Sequence, residues 1–451
     1  MSSVQIEGGI PADVLSRARA LSAPSRSGKY ISLMNAMTVK LACTDNLPLP
    51  EAFAAYAELM GLDDSICIRT IPIRGLCDVL ESDGEVLALL EAGGRYFECR
   101  TPRIVGPGSS PILRGRLRRV VAGRISNAVV HGRTGAFLRN NELVMDVQRD
   151  ELDAVPNELA FDPVIFHREK GNATYLEDSH PGRIRHLHKA WSLLGKSSHA
   201  FGHWTVEQLI PFIAGKDLAE FQGLPLLVDE DIPPQHFQSL EIIGEGRFEI
   251  IKVARGERVS IDELYVITNF PFAPHLLKMD QHIDASYLVY AADAVAGVFT
   301  NAAAVFDTTQ NTSASLPDKL FWARPLDRYR KISNHEAIED FIAGLGCKKF
   351  YPEQLGFGEQ IRLIRAAKRI VVQNGSASHG LFFARPGTEV VMLSHPALPF
   401  MALYAEMLAQ LGIDFKVVTG PFTRKGETYL DQSDYEIPLQ RLAQVIGRWS
   451  E

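Results

Sequence analysis

Between residues 200 and 395, short apolar runs of strand length alternate with stretches of helical periodicity, and this alternation constrains the fold of the 451-residue chain more than any other feature. A helical stretch, WTVEQLIPFIAGKDLAEF, precedes the run LPLLVD, and FEIIKV and ELYVIT follow. A second set opens near 318 with the run KLFWA, the helical stretches NHEAIEDFIAGLG and FGEQIRLIRAAK, the run RIVVQ, a Gly/Ser turn, a short helix and the run EVVML. Strands apolar on both faces need cover on both, and interleaved helices supply it. The pattern predicts parallel α/β layers, and two such sets predict two lobes. Between the sets, AADAVAGVFTNAAAVFDTTQNTSASLPD ends in a polar Ser/Thr-rich stretch and carries the boundary.

Upstream the texture differs. From 67 to 150 shorter β-rich runs (CIRTIPI, EVLALLEAG, RYFECRTP, NAVVHGRTGAFLRNNELVMDV) are separated by Gly, Asn and Asp turn signals, which predicts antiparallel strands. Before them, Pro50 suits the first turn of a helix, EAFAAYAELMGL, where its missing N–H costs nothing. The expected division is an N-terminal helical and β-rich region at 1–155, an α/β lobe at 156–305 and a second α/β lobe at 306–451.

Composition removes other classes. With 46% hydrophobic and 22% charged residues the chain is neither disordered nor fibrous. Lys and Arg number 47 and Asp and Glu 54, a net charge of −7, which gives no reason to expect nucleic acid. Cys43, Cys67, Cys77, Cys99 and Cys347 lack CxxC spacing, so neither a disulfide framework nor a zinc knuckle is indicated, and a reducing compartment fits. The first residues lack the basic-then-apolar order of a secretory signal, and no run reaches the ~18 apolar residues of a membrane span. The expected location is cytoplasmic, with no transmembrane segment. Arg114, Arg116, Arg118, Arg119 and Arg124 form a basic run that reads as a salt-bridged surface, with peripheral contact to an anionic lipid or polymer as the alternative.

Three constellations could carry chemistry. In the first, RIVVQ runs into Asn374-Gly375-Ser376-Ala377-Ser378-His379-Gly380, a strand, glycine turn and short helix whose first N–H groups could face a phosphate. Packing alone would also explain the glycines. A hydrolase elbow centred on Ser378 is disfavoured: position 376 is not glycine, and the last histidine, His395, precedes Asp414. In the second, His203 and Glu207 lie four apart, so on a helix they share a face and the carboxylate can orient the imidazole as a base; a solvated pair is the plainer alternative. Pro211 should kink or shorten that helix. In the third, Arg324 follows a strand, where open α/β sheets bind ligands, with Arg330, Asn334 and Glu336 beyond it; an ion pair would serve equally well.

No metal site is indicated. The histidines His180, His186, His188, His199 and His203 match no zinc spacing. Asp280-x-His282-x-Asp284 reads as a solvated strand face, and Asp229-Glu230-Asp231, before Ile232-Pro233-Pro234, as an ordinary polar turn.

Taken in order, these segments resemble glycosyltransferase family 61 over about residues 200–395. The resemblance is carried by His203-Trp204 with Glu207 and a Leu-Ile-Pro continuation, by the strand ending in Arg324 with Arg330-x-x-x-Asn334, by Pro352-Glu353 and Glu359-Gln360, and by Gly375-Ser376 running into LFFARPGTEVV. At the glycine turn this sequence has Asn374 and Gly380 where many members have His and Asn, and His379 stands beside the second change. The resemblance implies two Rossmann-like lobes of GT-B type after the β-rich region, and inverting, metal-independent transfer from a nucleotide-sugar donor to a glycan or other hydroxyl acceptor, in polysaccharide or glycan biosynthesis, with no cofactor. It implies His203 as the base oriented by Glu207, or Glu207 itself, and Arg324 with Arg330 beside the leaving phosphates. Gly375, Ser376 and the following N–H groups would hold the diphosphate, Glu353 or Gln360 would contact the nucleoside, and Asn334, Asn374 and His379 would complete the substrate-binding set. The alternative is a catalytically silent protein of the same fold that binds a nucleotide sugar or glycan.

Overall fold

The structure is a computed structural model that describes residues 40, 43–44, 47–62, 65–147, 162, 164–169, 171–178, 184–271, 289–308, 316–326, 330–397, 401–425 and 433–450. His180 and the Asp280, His282, Asp284 trio lie outside the described residues.

Helix α1 (Leu49–Met60) starts with Pro50 in its first turn and stops at Gly61, whose left-handed φ of 60° closes the helix end onto Ala57 and Glu58. Then come β1 (Ile66–Gly75), helix α2 (Leu76–Ser82), β2 (Glu85–Glu91), β3 (Tyr96–Cys99), β4 (Arg103–Val105), β5 (Leu113–Arg116), β6 (Val120–His131), β7 (Phe137–Arg139), β8 (Glu142–Met145), β9 (Ile165–Glu169), β10 (Asn172–Asp178) and β11 (Arg185–Ser192). Helix α3 covers 201–215, followed by β12 (Leu226–Asp229), α4 (Pro234–Ile243), β13 (Ile250–Val253), β14 (Arg258–Ile267) and α5 (Ala292–Thr308). The remainder is β15 (Lys319–Trp322), α6 (His335–Gly344), β16 (Lys348–Phe350), α7 (Phe357–Ala366), β17 (Arg369–Gln373), a 3₁₀ helix (Ser376–Phe383), β18 (Glu389–Ser394), α8 (Met401–Gln410), β19 (Asp414–Thr419), β20 (Phe422–Arg424), β21 (Asp434–Tyr435) and α9 (Leu439–Ile446).

Two large sheets organise the described residues. In the first, the order β13-β12-β11-β14 is parallel, and β14 turns antiparallel onto β6, from which β7, β8, β1, β10 and β9 continue. Of the strands read from the N-terminal sequence, β1, β2 and β6–β8 are therefore one sheet with the parallel strands that follow, while β3 pairs with β5 apart from it. The second sheet is parallel throughout, in the order β16-β15-β17-β18-β19-β4. Its strand β17 is buried at four of five positions, the continuous apolar run that a doubly covered strand requires. Its edge is supplied by β4, from the N-terminal part of the chain. The fold is mixed α/β.

One apolar cluster runs between the two sheets. It holds Trp191 of the first sheet, Leu320 and Trp322 of the second, Trp204 and Phe212 of α3, Phe357 of α7, Phe383 of the 3₁₀ helix, and Phe299 and Phe306 of α5. The Phe357 ring lies 6.5 Å from Phe201, 6.1 Å from Phe306 and 5.8 Å from Phe383, so it sets how α3 meets the second sheet.

The basic run on and around β5 and β6 is neutralised locally. Arg114 pairs with Glu98 at 2.8 Å, Arg119 with Glu81 at 2.5 Å and Arg124 with Glu263 at 3.0 Å, while the buried Arg118 pairs with Asp146 at 3.2 Å.

Candidate active site

In the second sheet the sequence order of the strands, 2-1-3-4-5 from β16 to β19, reverses between β15 and β17. Open α/β sheets bind ligands outside the carboxyl ends of the strands at such a reversal. Here β15 is followed by Ala323-Arg324, and β17 ends in Gln373, followed by Asn374-Gly375. The two ends are tied together: the Arg324 N–H donates to Gln373 Oε1 at 3.3 Å, and Arg324 Nη1 donates to the Asn374 carbonyl at 3.2 Å. Gln373 Nε2 donates in turn to the Arg330 carbonyl at 3.0 Å, holding that residue at a left-handed φ of 64°.

Gly375 is explained by this arrangement. A Cβ there would fall 1.8 Å from Arg324 Nη1, so the guanidinium occupies the space that any other residue's side chain would need. The residues after it form the expected short helix as a 3₁₀ helix, with Ser376 exposed at its start. Asn374 uses Nδ2 on Ser394 Oγ at 2.8 Å.

Helix α3 abuts this turn through a second glycine. A Cβ on Gly202 would come within 3.1 Å of the His379 ring and 3.6 Å of Ser376 Cβ. The next residue is His203. Its Nδ1 lies 2.5 Å from Glu207 Oε1, with His203 28% and Glu207 11% exposed. An ionised carboxylate only accepts hydrogen bonds, so Nδ1 carries the proton and the neutral ring keeps its lone pair on Nε2, the arrangement of a general base. His379 donates from Nδ1 to the Ser376 carbonyl at 3.1 Å and packs edge-on to Phe382 and Tyr404. Burial above all, with a smaller push from the neighbouring His203, lowers its pKa to about 4, so it is a neutral neighbour at pH 7.

The turn that carries Glu207 is wider than an α-helix. Trp204–Leu209 is π-helical, with the Ile210 N–H bonded to the Thr205 carbonyl five residues back. Pro211, which has no N–H to return to Glu207, opens the α-helical stretch Ile210–Gly215. The helix is interrupted in hydrogen bonding without being ended.

The approach to α3 rests on residues that the sequence did not single out for this role. Asp229, at the end of β12, is fully buried. It accepts the Arg133 N–H at 2.6 Å, the Gly195 N–H at 3.1 Å and the Ser198 hydroxyl at 2.6 Å. Burial pushes its carboxyl up to about 6 despite those donors. Asp229 is thus a clasp for the loop leading to His203, where the sequence suggested an ordinary polar turn. An acid closing a wholly apolar strand was the signal for it. Trp204 is likewise structural: its Nε1 donates to Ser239 Oγ at 3.0 Å and its ring stacks on His236 at 4.9 Å.

Arg324, Asn374, Gly375, Ser376 and His379 are therefore brought together, with His203 and Glu207 joined to them through Gly202. Other residues from the sequence reading have local duties. Asn334 Nδ2 donates to the Ile437 carbonyl at 2.8 Å and its Oδ1 accepts the Ile437 N–H at 3.1 Å, so both ends of its amide are spent on that backbone. Gln360 is buried and donates to the Pro352 and Leu355 carbonyls, fixing the loop on which Glu353 is exposed. Arg330 joins Arg324 in holding down the pKa of the buried Tyr435, which burial raises. Among the described residues there is no group of three or more His, Cys, Asp or Glu side chains arranged to hold a metal.

The sequence comparison finds a family resemblance over this region. Residues 201–391 match the model of the family Glycosyltransferase 61. The matched segment starts at the first residue of α3 and ends inside β18, so it contains His203, Glu207, Arg324, Asn374, Gly375, Ser376 and His379. The family points to glycosyltransferase activity, with a nucleotide-sugar donor and an acceptor as the partners. No curated protein matches the chain. No helix among the described residues is long and apolar enough to cross a membrane.

Proposed function

We propose that the protein is an inverting glycosyltransferase of two-lobed GT-B type. It moves a sugar from a nucleotide sugar to an acceptor hydroxyl in polysaccharide or glycan synthesis, with no metal. The observation that carries the reading is the Arg324 guanidinium seated over Gly375 at the strand reversal, one glycine contact away from the His203–Glu207 pair.

In-line displacement asks for a base at the attacking hydroxyl and positive or dipolar groups at the departing diphosphate. The His203–Glu207 pair takes the hydroxyl proton as the acceptor oxygen bonds to the anomeric carbon. The bond to the nucleoside diphosphate breaks with its electron pair leaving on the phosphate oxygen. Arg324, aided by Arg330 and by the N–H groups after Gly375, receives that charge, which is the work a divalent cation would otherwise do. Asn334 and Gln360 contribute by holding their own backbone neighbours in place, and Glu353, exposed, would contact the nucleoside.

The test is incubation of the purified protein with a panel of nucleotide sugars. The expected result is slow release of free nucleotide, reduced about 10²–10³-fold in Arg324→Ala, the scale of losing one donor to a developing anion. A second reading, a silent nucleotide-sugar or glycan-binding protein, is favoured by Asn374, whose side chain and carbonyl are both committed within the fold. Nucleotide binding without turnover under every acceptor tried would establish it.

A further inference from the structure

A cleft of about 500 Å³ opens at the amino ends of β15, β17 and β18, lined by Leu316, by Arg362 and Arg365 of α7, by Lys368, and by Arg385 and Pro386 of the turn before β18. Arg324 and Gly375 follow the carboxyl ends of β15 and β17, so the cleft lies at the opposite end of the second sheet from the candidate active site. Nothing in the proposed transfer uses it.

Four cations meet there, and among the described residues no carboxylate lines the cleft. The acid bonded to its wall is Asp307, which pairs with Arg365 at 2.5 Å and with Arg385 at 3.0 Å. Arg365 is spent on that pair and on the Phe383 carbonyl. Arg362 uses Nε on the Gly358 carbonyl one turn back, and the Lys368 ammonium has no partner among the described residues. Both side chains reach solvent, as does Arg385, 49% exposed. The basic run on β5 and β6 differs, because Arg114, Arg119 and Arg124 each have a carboxylate of their own. The dipole of α7 accounts for one basic residue in its last turn, Arg365. It does not account for four cations against one carboxylate in a chain whose net charge is −7.

We propose that this cleft docks the protein on an anionic membrane surface, seating a lipid headgroup phosphate among Arg362, Lys368 and Arg385 while the exposed Leu316 and Pro386 meet the acyl boundary. Charge complementarity selects the partner: a guanidinium grips phosphate as a fork, a lysine as a point charge, and each basic residue at an anionic leaflet adds about fivefold in affinity. Basic residues beside an exposed apolar side chain supply the two signals that reversible membrane attachment draws on. Docked in this way, the sheet turns its carboxyl strand ends, and Arg324 with them, away from the lipid. The proposal stands independently of the glycosyltransferase reading.

The experiment is sedimentation of the full chain with vesicles of phosphatidylglycerol and phosphatidylcholine in equal parts, against vesicles of phosphatidylcholine alone. The chain should sediment with the anionic vesicles and not with the neutral ones, and less so as salt rises. Arg362→Gln combined with Lys368→Gln should weaken binding about 30-fold, the scale of two basic residues at an anionic surface. Arg114→Gln combined with Arg119→Gln removes as much charge from the salt-bridged run and should change binding by less than about twofold. Should the first pair melt early, Lys368→Gln alone carries the test, with a loss of about fivefold. Absence of binding to anionic vesicles, equal binding to neutral ones, or a folded Arg362/Lys368 variant that binds like the wild type overturns the proposal. Calorimetry with inorganic phosphate distinguishes the source: phosphate binding lost in the same variant, without vesicle binding, means a soluble ligand and overturns the membrane assignment. Donor hydrolysis is read separately and judges the glycosyltransferase assignment alone.

Discussion

Two glycines fix the candidate site by what they leave out. Gly375 makes room for a guanidinium and Gly202 for an imidazole, and in both cases the neighbouring side chain fills the space. Gly375→Ala should therefore act as a mutation of Arg324. Transfer should fall about 10²-fold or more while the fold holds, measured by turnover beside a thermal melt. A Gly375→Ala enzyme with full activity would show that Arg324 need not sit there. His203→Ala should lose about 10²–10⁴ in transfer rate and keep nucleotide binding, because the proposed nucleotide contacts at Arg324 and Gly375 lie on the second sheet; calorimetry with nucleoside diphosphates checks the second half. The sequence made Arg324, Gly375 and the His203–Glu207 pair legible because strand ends and four-residue spacing are local signals. Asn334 was not legible in the same way. Its partner Ile437 lies 103 residues away, and no local pattern shows that a side-chain amide is spent on a distant backbone.

At the scale of elements, α3 and the helices around it decide whether the two halves of the site meet. Phe357→Ala removes a ring that touches Phe201, Phe306 and Phe383, and should cost about 3–5 kcal/mol in a denaturant titration. Buried histidines make the fold sensitive to acid. Burial pushes His236, and likewise His131 at the end of β6, down to about 3, whereas in the unfolded chain they titrate near 6.5. The unfolded state then binds more protons between those values, so the stability is whole above about pH 6.5 and is lost as pH falls toward about 3. Asp229, raised to about 6, works in the opposite sense and loses stability as pH rises from about 4 to about 6. With more than one histidine against it, the urea midpoint should drop from pH 7 to pH 5, and His236→Gln should flatten that dependence. The strand and helix run of 318–393 followed from apolar periodicity. The π-helical turn did not, since Pro211 signalled a disturbed helix without saying that the widening would fall around Glu207.

For the whole molecule, the decisive feature is β4. It pairs in parallel with β19, and the neighbouring bond from Thr419 Oγ1 to the Pro107 carbonyl joins residues 312 apart. No local pattern announces such a pairing, and β4 is only three residues long. A polypeptide beginning at residue 185 would lack β6 against β14 and β4 against β19, leaving a bare edge on each sheet. It should aggregate or melt without cooperativity, in contrast to the full chain, as circular dichroism and dye binding would report. The chain enters the second sheet at β4, returns to the first by β6, and enters the second again at β15. Any movement of one sheet against the other must then bend three stretches of backbone at once. The two halves are laced like the pages of a sewn book, able to flex along the spine but unable to swing freely about one thread.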